Sequence, residues 1–220
     1  MMEFGFILYA LERKAPYARF HRIARMPQAL VYRAGGRRVI GPETTVKAEL
    51  TALEKTGSSN FALIEADLKA DGELKSSASL LKTLSAEGNA ASRLIARGIA
   101  VTNALIKNDV NKLAAAAKAL AKKPTGAALR AKELAASSTL SATAVHCLAE
   151  IDNDVAAQKS TDSTNLGAIL SANPTNTHLA SDTTNTIRPA SNGARTTLTD
   201  AASMLLVDDV DAVIAALVGP

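Results

Sequence analysis

His146 and Cys147 stand side by side, and a thiol next to an imidazole is the first place to look for nucleophilic or metal-binding chemistry. On a helix, adjacent side chains point about 100° apart, so this pair is a poor start for a shared site. The other two histidines, His21 and His178, lie elsewhere in the chain, and no second cysteine stands at ligand spacing. Cys147 therefore reads as a packed helix thiol. Asp208, Asp209 and Asp211 form a carboxylate cluster without the EF-hand spacing that calcium requires. They fit the first turn of a closing helix, where the macrodipole favours anions. Ala34-Gly35-Gly36-Arg37 is no phosphate cradle, because it joins two strand-like runs and opens no helix. There is no nucleophile elbow. No residue is assigned a catalytic, cofactor-binding or metal-ligating role, and the expectation is a protein that is not an enzyme and has no small-molecule substrate.

The elements that would position these residues fall into two materials. All seven aromatic residues (Phe4, Phe6, Tyr9, Tyr17, Phe20, Tyr32 and Phe61) lie in the first 61 positions. Aromatic side chains favour strands and bury large areas. Phe4 to Leu11 reads as a buried strand, broken at Ala15-Pro16-Tyr17. Phe20 to Arg25 alternates apolar and basic residues. Ala29 to Arg33 and Arg37 to Ile40 flank Gly35-Gly36, whose freedom at positive φ suits a hairpin turn. Gly41-Pro42 closes that strand, and Thr44 to Leu50, with Val46, Ala48 and Leu50 alternating, opens another.

Behind this front the core must come from Ala, Leu, Val and Ile, which favours helices packed closely through small residues. Asn60 is read as a helix cap, with Leu63, Ile64 and Leu68 following and a stop at Asp71-Gly72. Leu74 to Gly88 and a stretch from Ala90 are read as separate helices, the latter with Leu94, Ile95, Ile99, Leu105 and Ile106 on its apolar stripe. Lys122 and Lys123 end the next before Pro124. Leu140 to Val155 carries Val145, Leu148, Ile151 and Val155. Between Lys159 and Thr197 Ser, Thr and Asn dominate, which reads as an extended segment ordered only by contact.

The expected fold class is α+β: a β-rich module over 1–58, a helical region over 59–158, an extended Ser/Thr/Asn-rich segment over 159–197 and a C-terminal helix over 198–220. Net charge is +4, and up to Lys55 ten basic residues face five acidic ones. That basic front could meet nucleic acid or an acidic protein surface, but no dense Arg/Lys tract supports the former. One cysteine excludes an internal disulfide and fits a reducing compartment. No basic n-region precedes the first apolar run, so no signal peptide is read. No stretch approaches the roughly 20 apolar residues of a membrane span.

Met2-Glu3-Phe4-Gly5-Phe6-Ile7-Leu8-Tyr9, then Ala15-Pro16-Tyr17 with Phe20-His21-Arg22 after it, resembles the opening of the GpU family of contractile-tail phage proteins. Gly36-Arg37-Arg38 and Gly41-Pro42-Glu43-Thr44-Thr45-Val46 extend the likeness, as do Thr56-Gly57 and the helix near Phe61 to Leu68. It covers about the first 70 residues. Beyond them the family closes its sheet with further strands, whereas this chain runs into Ala-rich helices.

The resemblance implies a structural component of a contractile phage tail or tailocin, at the tube/baseplate or tail-end junction. It implies copies of the chain in a ring, in contact with tail tube, hub, sheath or baseplate proteins, assembled in the host cytoplasm. A helical scaffold or adaptor outside phages, or a basic nucleic-acid-binding module, are the competing classes.

Overall fold

The computed structural model describes residues 42–218, and every regular element among them is helical. The expected strands at Phe4–Leu11, Phe20–Arg25 and Ala29–Ile40, with the Gly35-Gly36 turn, lie outside the described residues. Within them the α+β expectation is corrected: no strand occurs.

Helix α1 runs from Pro42 to Ala70, so Thr44 to Leu50 is helical and not a strand. The reason lies in the spacing. Val46 and Leu50, four apart, share a face in either conformation, and Leu53, Ile64 and Leu68 continue at helical intervals. All five are buried, while Ala48, between the first two, is exposed. Pro42 takes the first helical position, where its fixed φ fits and its missing N–H costs nothing. Asn60 caps nothing; it sits inside α1. The helix ends where Asp71-Gly72 predicts, with Gly72 at φ 75°, a left-handed conformation that glycine adopts freely.

Helix α2 (Leu74–Lys122) continues unbroken through Gly88, where the sequence pattern predicts an end. One interior glycine costs only about 1 kcal/mol against alanine, and buried Leu81 and Ile95 on either side outweigh it. Pro124 falls in the turn to α3 (Ala127–Ala172). At 49 and 46 residues, α2 and α3 are each about 70 Å long from the 1.5 Å rise per residue. They pair antiparallel, from Ser77 opposite Asn173 at one end to Asp109 opposite Thr143.

The Lys159–Thr197 segment is also corrected: it is not extended. It holds the end of α3, then α4 (Thr177–Asp182), a π-helical turn (Thr183–Ile187) and most of α5 (Arg188–Ser203). A second π turn (Met204–Asp208) leads into α6 (Asp209–Val218). Backbone dihedrals stay right-handed helical across these junctions, so 177–218 is one rod. Four rods thus form an up-down-up-down bundle, with α1 against α2 and α5, and α3 against α2, α5 and α6. Leu166, Ile169, Leu179, Ile187 and Leu198 are buried to 6% exposure or less, and that burial overrides the low helix propensity of the Ser, Thr and Asn between them.

The turns 71–73 and 173–176 meet at one end and are stitched together. Asn176 donates from Nδ2 to the Asp67 carbonyl at 3.2 Å and to Glu73 Oε2 at 2.9 Å, while its Oδ1 accepts the Leu179 N–H. Asn173 donates to Ser77 Oγ and to the Ile169 carbonyl.

Candidate functional site

The apolar interior is divided in two. One cluster contains Val46, Leu53, Ile95, Ile99, Leu140, Val155 and Leu198, and the other contains Ile64, Leu81, Leu166, Ile169, Leu179 and Ile187. At the division each rod contributes polar groups: Asn60 from α1, Ser92 from α2, Gln158 and Asp162 from α3, and Arg195 from α5. Arg195 is 7% exposed; its guanidinium is paired with Asp162 and its Nε donates to Gln158 Oε1. Gln158 in turn donates to Ser92 Oγ at 3.4 Å. Asn60 Nδ2 donates to the Ile187 carbonyl at 3.2 Å and to Ser191 Oγ at 2.9 Å, clamping the end of the first π turn against α1. Burial pushes the Asp162 carboxyl up and the Arg195 guanidinium down, against the attraction of the pair. A layer of this kind gives little net stability but favours one register, because sliding α3 or α5 by one turn would leave a charge facing apolar side chains, and sliding α1 would bury the Asn60 amide without its acceptors.

Two further polar nodes flank it. Burial raises the Asp109 carboxyl, but hydrogen bonds from Lys112 Nζ at 2.8 Å and Thr143 Oγ1 at 2.7 Å outweigh that and hold it below the usual range. Asp67, 8% exposed near the joined turns, is raised by burial, then by Asp182 and Asp71, with His178 opposing. Its Oδ2 finds no partner, and neither does the buried Thr183 Oγ1 at the start of the π turn.

His21 lies outside the described residues, and the described residues singled out in sequence do not converge. His146 is exposed on α3 while Cys147 beside it is buried, its thiol pushed up by burial despite a hydrogen bond with Thr102. His178 is exposed on α4. Asp208 ends the second π turn and Asp209 and Asp211 open α6, but the rod runs through them, so no free helix end attracts their charge. Burial, then Asp208, raises the Asp209 carboxyl. Among the described residues no group of three or more His, Cys, Asp or Glu is disposed to hold a metal ion.

Among the described residues the surface carries a groove and an apolar patch on α2. Between α1 and α2 an open groove of about 510 Å³ is lined by Phe61, Leu74, Ala78 and Leu81, with Glu65 and Lys82 also on its walls. On α2, Leu94, Val101 and Leu105 are 48%, 53% and 41% exposed. The periodicity predicts Leu94 and Leu105 on the buried stripe with Ile95 and Ile106, and Val145 on that of α3; all three face outward, Val145 at 65%. The polar layer was missed altogether. Its one sequence signal is that Asn60 and Arg195 fall where the buried periodicity of their helices calls for apolar residues.

No helix among the described residues is long and apolar enough to cross a membrane. No family model, curated protein or solved structure matches the chain.

Proposed function

We propose that this chain is a non-enzymatic structural component that works in several copies, and that its place is a contractile phage tail or tailocin, at the tube/baseplate or tail-end junction. The observation that carries the structural role is the polar layer. All four rods contribute to it, and its donors and acceptors are largely spent on one another, so it fixes the rods in register as a stiff spacer while leaving apolar side chains outward on α2. The contractile-tail placement is supported by the motifs of residues 2–46 and implies tube, hub, sheath or baseplate neighbours.

The test is direct. Particles purified from a producing host should contain the chain at a fixed, multi-copy ratio to the tube protein, and a tag on it should decorate one level of the tail by electron microscopy. A chain abundant in the host and absent from the particles would sink the placement. One observation favours a helical scaffold outside phages: Thr44 to Leu50, expected from its alternation as a strand of the front module, belongs to α1. Cellular pull-downs returning a fixed set of non-tail proteins would favour that reading.

A further inference from the structure

The outer face of α2 is laid out in three parallel bands. The middle band is apolar: Leu94, Val101 and Leu105, spaced seven and four apart, with Gly98 among them. On the side away from α3 the helical turn places Arg97 and Arg93, both exposed. The side toward α3 is acidic. A Cβ on Gly98 would lie 3.0 Å from Asp154 Oδ2, so that carboxylate overhangs the α2 backbone beside the apolar band. Glu150, one turn earlier on α3 and exposed, continues the acidic edge. Arg97 is next to Gly98 in sequence, so the basic and acidic edges stand at the same height along the bundle.

We infer that this face binds a second copy of the chain, with the two α2 helices parallel and in register. The inference rests on the multi-copy reading and gives it a geometry. A two-fold axis running along the helices lays the apolar band on its own counterpart and brings each edge against the opposite edge. Arg97 of one copy then meets Asp154 and Glu150 of the other, twice over. An axis running across the helices brings arginine to arginine and carboxylate to carboxylate, which like-charge repulsion disfavours. Charge therefore selects the parallel arrangement, and the apolar band supplies the area that contact removes from water.

Single cysteines at Leu94 and at Val101, each in a Cys147→Ala background, separate the arrangements under mild oxidation. In the parallel, in-register pair each cysteine faces its own copy, so both variants form disulfide-linked dimers. An antiparallel pair centred near Val101 links Val101→Cys and leaves Leu94→Cys unlinked, which would overturn the inference. If neither links while the native protein sediments as an oligomer, the parallel in-register pairing is wrong and the multi-copy reading stands. If the native protein is monomeric at high concentration, both fail.

Charge reversal on the otherwise native chain gives a second readout that needs no core change. Arg97→Glu and Glu150→Lys should each weaken association by about tenfold, since like charges then oppose across the contact. The combined variant should recover most of it, because each new glutamate meets the partner's new lysine. A combined variant no stronger than the weaker single one would count against the pairing.

Discussion

Arg195 on α5 is paired with Asp162 on α3, in the layer that separates the two apolar clusters. The Arg195 side chain is 8% exposed and that of Asp162 32%, so the pair is unevenly desolvated. That asymmetry sets what its removal should do.

Arg195→Met should destabilise the protein by about 2–3 kcal/mol, below the 3–5 typical of a fully buried pair because Asp162 keeps some water. The cost arises from Asp162 and Gln158 left without their donor. Adding Asp162→Leu should recover at least half of it. Urea unfolding of the two variants checks this, and an Arg195→Met cost within ~0.5 kcal/mol, as for surface changes, would show that the layer is not what fixes the bundle.

Two glycines should respond in opposite directions. Nothing lies within 4 Å of a Cβ placed on Gly57, in the interior of α1, so Gly57→Ala should stabilise by about 0.5–1 kcal/mol. Gly72→Ala meets no atom either, but its φ of 75° strains any side chain, so it should cost about 1 kcal/mol. Paired thermal melts are the measurement, and equal shifts of the same sign would contradict the turn.

Asp67 predicts a pH dependence. Its folded carboxyl is raised, so the folded state holds a proton that the unfolded state has released. Its contribution therefore falls as pH rises from the ordinary carboxyl range through the raised value. Asp67→Asn should flatten the loss of stability across that window, and an unchanged slope of unfolding free energy against pH would remove Asp67 as its source.

The Ser/Thr/Asn-rich stretch should behave as core. Leu179→Ala within it and Leu198→Ala just beyond it, both at 0% exposure, should each cost about 2–5 kcal/mol. Amide exchange across 177–198 should be as slow as in the middle of α2. Rapid exchange there, with α2 protected, would mean the rod does not pack as described.

The sequence by itself determined two of the turns and what builds the helices. Asp71-Gly72 ends α1 because only a residue free at positive φ turns the chain there, and Pro124 lies in the next turn because it cannot continue a helix. Ala-rich stretches became helices because their residues lose little side-chain freedom in one. Three things required tertiary structure. Val46 and Leu50 fit strand and helix equally, and burial with Leu53 against the other rods decided for helix. Residues 159–197 carry weak propensity, and only neighbours to cover Leu166, Ile169, Leu179 and Ile187 make a helix their best state. The polar layer joins Asn60 to Ile187 and Ser191, and Asp162 to Arg195, across separations that local pattern does not span; a buried charge is tolerable only once folding has placed its partner beside it.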